Sequence, residues 1–250
     1  MNSSAFFFFF LAVVPVRADK QDQSEIITQL LFGEVATLID RHNQWIKIKS
    51  SHDNYEGWID EKQVLEISEE EHGFWLKNTF RQTMLLKTWD TPFGEIQSMR
   101  GSNTPNRSQF KVAGFTFQGV QDFGNLTVSS ISDVALSYLN SPYLWGGRTP
   151  FGIDCSGFTQ AVYRFFNIEL PRDAYQQANF GENISFKDRK KGDIVFFQNK
   201  QKKIHHVGIL LANDEIIHAS GRVRIDKLTQ DGIIKKEELT HHFHSLKRLC

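Results

Sequence analysis

The sequence predicts an α+β domain, in which a helix that starts at a cysteine packs on an antiparallel sheet, preceded by two small all-β domains. Three observations support this fold class. A helical pattern starts at Cys155, β-branched and aliphatic runs surround His206 and His218, and short alternating strands fill the chain before residue 125. We expect the all-β domains at 19–70 and 71–125 and the α+β domain at 126–250.

The helix is predicted to begin immediately after Asp154, because glycine and proline interrupt regular structure up to Gly152. Asp154 is a suitable N-cap, which places Cys155 in the first turn. Unpaired backbone N–H groups and the helix dipole there favour a thiolate, so this position predicts a lowered thiol pKa. One face of the helix is apolar, with residues at three-and-four spacing: Phe158, Val162, Phe165 and Phe166.

Two strands are predicted around the histidines, at Ile204 to Leu211 and at Glu215 to Ala219. They form a hairpin. His206 and His218 share a face only if the connecting loop has an odd number of residues, so we expect a turn centred on Ala212 that brings the histidines directly opposite each other. With that geometry, His206 is the base for Cys155 and His218 fixes the tautomer of His206.

These motifs resemble the NlpC-type papain-like cysteine peptidases that cut bacterial cell-wall peptides. The resemblance covers residues from about 126 to 250. It implies a papain-like domain in which Cys155 is the nucleophile, His206 the base and His218 the third member of the triad. The matching segments are Tyr143-Leu-Trp-Gly-Gly, Asp154-Cys-Ser-Gly-Phe, Leu170-Pro-Arg, Lys191-Gly-Asp-Ile-Val-Phe-Phe, His206-Val-Gly-Ile and Ile217-His-Ala.

Short alternating strands before the peptidase domain indicate small barrels. Gln44-Trp-Ile-Lys-Ile and Tyr55-Glu-Gly-Trp-Ile resemble a bacterial SH3-like domain, and a second set of strands that ends near Gln121 predicts another SH3-like barrel. Glu69-Glu-Glu between the two sets is predicted to be a solvated linker.

The first eighteen residues are predicted to be a signal peptide, because Phe6 to Val14 is an apolar run and Val16-Arg17-Ala18 offers a cleavage site. The alternative is that Phe6 to Phe10 starts a buried strand. The prediction implies an exported protein, periplasmic or extracellular, without stable membrane insertion. Of the two cysteines, Cys155 and Cys250, both are expected to be free thiols, since pairing them would remove the nucleophile.

Composition excludes one class of partner. The 29 basic and 29 acidic residues give a formal net charge of zero, so the chain has no electrostatic footprint for nucleic acid. No cofactor is expected. A zinc site built from Cys155, His205, His206 and His218 is a rival reading, although paired zinc-ligand spacing is missing. The segment His241-His-Phe-His is read as a solvated strand or tail, or as a weak metal site.

The domain order resembles that of the γ-D-glutamyl-L-diamino acid endopeptidases. The resemblance implies hydrolysis of murein tripeptides or longer cell-wall peptides with a free N-terminal L-Ala, through a thioester on Cys155. It also implies that five residues bind the substrate: Tyr143, Asp154, Ser156, Glu34 and Tyr55. For each of these a structural role is the alternative: a helix cap for Asp154, packing for the tyrosines, and a loop carboxylate for Glu34.

Two further readings of function stay open. The protein could be an endopeptidase that cuts stem peptides in intact peptidoglycan, for which an open cleft without amine-binding residues would be typical. It could also be a non-catalytic cell-wall binding module that uses its SH3-like domains. The complete Cys155, His206 and His218 set favours an enzyme over the binding module.

Overall fold

A computed structural model describes residues 5–249 of the chain, so Cys250 and the first four residues lie outside the described part. The packing of the backbone divides the chain into two units, 1–126 and 127–250. Within the described residues, no helix combines the length and the apolar character needed to cross a membrane.

Unit one opens with a seven-stranded antiparallel sheet. Its strands are β1 (Phe6–Phe8), β2 (Val13–Arg17), β3 (Ile26–Leu31), β4 (Val35–His42), β5 (Trp45–Ser50), β6 (Glu56–Asp60) and β7 (Leu65–Ile67). They are arranged in the order β3-β2-β6-β5-β4-β1-β7. A 3₁₀ turn at Glu61–Gln63 leads into the last strand.

The segment predicted as a signal peptide is part of this sheet. β1 pairs with β4 and β7, and β2 pairs with β3. Phe7 and Phe9 enter one hydrophobic core while Phe8 enters a second core on the other face. A strand covered on both faces has a continuous apolar run, which is also the pattern of a signal sequence. The signal-peptide prediction is therefore corrected: Phe6–Phe8 and Val13–Arg17 are strands of this sheet.

The second half of unit one begins with a helix and continues in strands. The elements are α1 (Glu69–Lys77), β8 (Phe80–Arg81), β9 (Leu86–Thr91), β10 (Gly94–Met99), β11 (Asn103–Thr104), β12 (Gln109–Val112) and β13 (Phe115–Phe123). Four of the strands form an antiparallel sheet in the order β10-β9-β13-β12, while β8 pairs with β11.

The predicted acidic linker is the first turn of α1. Ser68 caps the helix and accepts the N–H of Glu71, whose carboxylate in turn accepts the N–H of Ser68. Three glutamates suit this position because they face the positive end of the helix dipole. Trp75 of α1 packs with Phe8 and Trp89 in one core, so the two predicted barrels share a hydrophobic cluster within one unit.

Unit two contains three helices and nine strands among its described residues. They are α2 (Ile131–Leu136), β14 (Arg148–Thr149), β15 (Gly152–Ile153), α3 (Cys155–Arg164), α4 (Ala174–Gln177), β16 (Glu182–Ile184), β17 (Ile194–Gln198), β18 (Ile204–Ala212), β19 (Glu215–Ser220), β20 (Arg222–Leu228), β21 (Gly232–Lys235) and β22 (Glu238–Arg248). A 3₁₀ turn spans Phe186–Asp188.

Seven strands of this unit form one antiparallel sheet in the order β16-β22-β17-β18-β19-β20-β21. β22 pairs with β21 as well as with β16 and β17, so the sheet closes on itself. The helix α3 packs on β18 and β19 through its buried apolar side chains, among them Phe158 and Val162. This arrangement places Cys155 beside the two strands that carry His206 and His218.

We expect the N-terminal strands to be needed for the stability of unit one. Phe8→Ala leaves a cavity between buried aromatic rings and should lower the free energy of unfolding by about 3–5 kcal/mol. Denaturant unfolding followed by the fluorescence of Trp75 and Trp89 measures the change. Phe80→Ala is the matched control, because that ring is 62% exposed and its loss should cost no more than about 0.5 kcal/mol. Unchanged stability in Phe8→Ala would contradict the core assignment.

Candidate active site

The start of α3 is fixed by Asp154, which is its N-cap as predicted. One carboxylate oxygen of Asp154 accepts the N–H of Gly157 at 2.7 Å, and the other accepts the N–H of Gly146 at 2.9 Å. Gly157 has to be a glycine, because a Cβ there would lie 2.3 Å from the carbonyl oxygen of Gly147. The glycine-rich loop and the helix start are therefore tied together by one side chain.

Arg172 forms a buried ion pair with this cap. Its guanidinium donates to both carboxylate oxygens of Asp154, with Nη1 at 3.1 Å from Oδ1, and to the hydroxyl of Ser156 at 2.9 Å. Ser156 Oγ in turn lies 3.3 Å from Asp154 Oδ1. Since these contacts occupy the oxygens of Asp154 and Ser156, both residues have a structural role, and the substrate-binding role inferred for them from the resemblance remains a prediction.

The thiol of Cys155 is buried at the first position of α3. Burial raises the pKa of Cys155 to about 12, and the nearby Asp154 carboxylate adds to the increase. The backbone N–H groups of Val207 and Ser156 act in the opposite direction without outweighing it. The lowered pKa expected from the helix start is therefore wrong for this structure: dehydration exceeds the helix effect, and the resting group is a neutral thiol.

The two histidines lie on one face of the sheet, but by a different route from the predicted one. Asn213 and Asp214 form a two-residue turn, and the register then shifts by one residue between Leu210 and Ala212. Because side chains alternate between the two faces of a strand, a two-residue loop alone would have put the histidines on opposite faces. The β-bulge returns them to the same face. His218 consequently pairs with Gly208, so the odd loop and the directly opposite position predicted for His206 were wrong.

His206 and His218 are nonetheless in direct contact. Nε2 of His206 lies 2.8 Å from Nδ1 of His218, as expected for a residue that fixes the tautomer of the other. Cys155 approaches the same place, since the N–H of Val207, next to His206 in the chain, acts on its sulfur. The structure therefore brings the three predicted catalytic residues into one buried region.

The chain of hydrogen bonds extends beyond the predicted residues to β20. Nε2 of His218 lies 3.0 Å from Asp226 Oδ2, and Arg224 Nε donates to the same oxygen at 2.7 Å. Sequence reasoning assigned no role to Asp226 or Arg224, and it included Arg172 only in the matching segment Leu170-Pro-Arg. Alternating charges at Arg222, Arg224 and Asp226 are typical of a polar strand face, but nothing in the sequence pairs that face with His218.

Burial keeps the two imidazoles neutral near pH 7. It lowers the pKa of His206 well below 6.5, and the neighbouring His218 adds to this effect. Burial also lowers the pKa of His218, while the carboxylate of Asp226 opposes the decrease. For Asp226, burial favours the neutral acid, yet hydrogen bonds from His218 and Arg224 outweigh it and lower its pKa to about 2.

The remaining predicted residues lie in both units. Tyr143 is half-buried near the thiol: burial raises its pKa to about 12, and Cys155 contributes. Glu34 and Tyr55 belong to unit one. Glu34 is buried and accepts the N–H of Leu31 at 2.9 Å, and its other oxygen lies 3.8 Å from the ring of His52. Tyr55 is partly buried and its N–H donates to Asp53.

Of the two structural readings of His241–His244, a strand or a tail, the strand is correct, because the segment forms part of β22. His241 is not solvated but lies against His206 and His218, with its ring centroid 4.2 Å from that of His206. Across residues 5–249, no group of three or more His, Cys, Asp or Glu side chains is arranged to hold a metal ion.

Two protein-family models match the chain. Residues 140–242 match the NlpC/P60 family, and residues 16–64 match the bacterial dipeptidyl-peptidase Sh3 domain. The predicted fold class is thereby confirmed: an all-β, SH3-like region is followed by a papain-like peptidase domain. The chain therefore contains an NlpC/P60 domain and is a peptidase.

Several relatives share both regions. The γ-D-glutamyl-L-lysine dipeptidyl-peptidase of Bacillus cereus is 26% identical over 85% of this chain and 74% of its own length. Dipeptidyl-peptidase 6 of Lysinibacillus sphaericus is 24% identical over 89% of this chain and 91% of its own. The crystal structure of an NlpC/P60 family protein from Bacillus cereus has the same fold, with a TM-score of 0.78 and 20% identity over 98% of this chain and 99% of that one.

We expect the Arg172 pair to be essential for the stability of unit two. Arg172→Met leaves the Asp154 carboxylate buried without its cation and should cost about 3–5 kcal/mol in the free energy of unfolding. Urea unfolding followed by circular dichroism measures the loss. Arg222→Met, at an exposed arginine of β20, is the control and should have little effect. Equal stability of the two variants would show that the pair does not hold the helix start.

Asp226→Asn should lower the pKa of His218 further. The carboxylate of Asp226 raises the pKa of His218 through a hydrogen bond and through its charge, and the amide retains only the hydrogen-bonding shape. The imidazole resonances of His218, followed by NMR as the pH is lowered, measure this change. Asp231→Asn, at an exposed turn, is the control. An unchanged or raised His218 pKa in Asp226→Asn would disprove the electrostatic role of this carboxylate.

Proposed function

We propose that this protein is a cysteine endopeptidase that hydrolyses the γ-D-glutamyl-L-diamino acid bond of murein peptides with a free N-terminal L-Ala. The observation that carries the proposal is the buried chain formed by His206, His218 and Asp226 beside a thiol at a helix start. A nucleophile, a base and a group that orients the base are the parts that thiol-dependent acyl transfer requires.

In the first step the thiol of Cys155 attacks the γ-carbonyl carbon of the D-glutamyl residue. Because the resting thiol and imidazole are both neutral, the sulfur gives its proton to His206 as the carbon–sulfur bond forms. The N–H groups of Cys155 and Ser156, at the first two positions of α3, are suited to the developing oxyanion, since helix geometry gives them no carbonyl partner within the helix.

In the second step the tetrahedral intermediate breaks the carbon–nitrogen bond. His206 returns its proton to the leaving amine of the diamino acid, and a thioester remains on Cys155. Water then attacks the thioester, with His206 again as base, and releases the acyl dipeptide and the free thiol. While His206 is protonated, His218 and the ionised Asp226 stabilise its charge through their hydrogen bonds.

The substrate class is supported by relatives that match most of the chain. Those from Bacillus cereus and Lysinibacillus sphaericus are named dipeptidyl-peptidases, and that name implies release of a dipeptide from a free amino terminus. We extend this requirement to the present protein. The substrate-binding roles of Tyr143, Glu34 and Tyr55 rest on the resemblance and remain predictions, as do those of Asp154 and Ser156.

A second candidate function has its own support in the peptidase domain. The murein DD-endopeptidase MepS/murein LD-carboxypeptidase of Escherichia coli K12 is 40% identical over 93 residues, which cover 37% of this chain and 49% of that protein. An endopeptidase for intact peptidoglycan is therefore the alternative. We propose that the protein acts in the periplasm or outside the cell, because the relatives are named for cell-wall peptides.

We expect the free amine of the substrate to be required. Acetylation of the L-Ala of L-Ala-γ-D-Glu-L-Lys should lower kcat/KM at least about a hundredfold, because acetylation removes the charge of the ammonium group and leaves its binding groups in the protein unpaired. Mass spectrometry of the products measures both rates. Cys155→Ala should abolish turnover of the free tripeptide, which assigns the activity to this thiol.

Three outcomes would contradict parts of this proposal. Equal cleavage of free tripeptide, acetylated tripeptide and intact peptidoglycan would favour the alternative endopeptidase. Unchanged activity in Cys155→Ala would remove the proposed nucleophile. No cleavage of any of the three substrates by the wild-type protein, with binding to peptidoglycan retained, would favour the non-catalytic binding module.

A further inference from the structure

A third imidazole ring covers the face of His206. His241, on β22, has its ring centroid 4.2 Å from that of His206, with 32° between the planes. His218 contacts the same ring differently: it meets the Nε2 edge with its own plane almost perpendicular, at 83°. Phe197 packs at 5.8 Å with its plane tilted by 43°. His206 is thus held at one edge by a hydrogen bond and at one face by a ring.

His241 is itself held in place. Its ring stacks on that of His205 with an interplanar angle of 11°, and Nδ1 lies 2.9 Å from the hydroxyl of Thr240. Other ionisable groups influence the pKa values of His205, His218 and His241. They are Arg224 and Asp226 from β20, Lys235 from β21 and His242 from β22. Burial, with help from His218 and His205, lowers the pKa of His241 to about 4, so it is a neutral ring at neutral pH.

We propose that His241 is a positioning residue, which fixes the plane of the His206 ring and shields that ring from water. The inference rests on the proposed role of His206 as the base. The hydrogen bond at Nε2 locates one corner of the imidazole, but the torsion between a tetrahedral carbon and a planar ring has a broad minimum. Contact of His241 with the face of the His206 ring restricts rotation about this torsion and thereby fixes the direction of Nδ1 of His206.

Shielding of the His206 ring from water matters as much as the direction of its Nδ1 atom. Burial is the largest cause of the low His206 pKa, and His241 supplies part of that burial from β22. If the ring of His241 is removed, water reaches the face of His206, and its pKa rises towards 6.5. More of the base is then protonated in mild acid and is unable to accept the thiol proton, so activity is lost at higher pH than in the wild type.

The test compares His241→Ala with His241→Phe on the full chain. His241→Ala should lower kcat/KM for the tripeptide about tenfold at pH 7, as expected when a catalytic group loses its orientation, and should move the acid limb of the pH profile upward. His241→Phe keeps a ring on His206 and should restore both properties to within about threefold of wild type. His244→Ala, an exposed histidine of the same strand, is the control and should change neither.

A readout independent of turnover separates this inference from the proposed function. NMR titration should show the His206 pKa raised in His241→Ala and low in His241→Phe. Wild-type rate and pH profile in His241→Ala would overturn the inference, even with Cys155→Ala inactive. Equal losses in the alanine and phenylalanine variants would also overturn it, because the ring would then not be what matters. An inactive wild-type protein with the predicted NMR shifts would instead refute the function and leave the positioning contact intact.

Discussion

The carboxylate of Asp154 is the constraint on which the geometry of the peptidase domain depends. It ends the glycine-rich loop through Gly146, begins α3 through Gly157, and neutralises the buried charge of Arg172. A carboxylate at a helix N-terminus is favoured by the dipole, and its pairing with a planar guanidinium gives it one orientation. The backbone position of Cys155 follows, because Cys155 is the next residue in the chain and the first residue of α3.

The charges of the site are arranged so that none lies on the reacting groups at rest. Cys155 and His206 are neutral because both are buried, and the formal charges lie at the other end of the hydrogen-bond chain, on Asp226 and Arg224. In the proposed mechanism, proton transfer from sulfur to imidazole creates a charge where the protein already has a polarised partner in His218. The thiol and the imidazole thus carry no buried charge at rest, and the hydrogen-bond chain is suited to stabilise the imidazolium when it forms.

Local sequence signals predicted the helix start, the hairpin strands and the proximity of Cys155, His206 and His218, because each depends on a few adjacent side chains. The predictions that were wrong depended on packing between residues that are far apart in the sequence. Phe6 to Phe10 has the composition of an export signal and of a strand between two cores, and only its neighbours distinguish the two. The bulge at Leu211 has no residue signature, and the dehydration of Cys155 outweighs the helix dipole only because β18 covers the thiol. The partnership of Asp226 with His218 likewise required the register of β20.

The closure of the sheet by β22 has a consequence for how the domain folds during synthesis. β22 spans Glu238–Arg248 and pairs with β17, which precedes it by about forty residues, and with β21. During synthesis Cys155, His206 and His218 leave the ribosome before this strand does, while the sheet they belong to is still open. A nascent chain therefore lacks the ring that covers His206. The closed sheet and the full set of contacts around His206 form only once β22 has been synthesised.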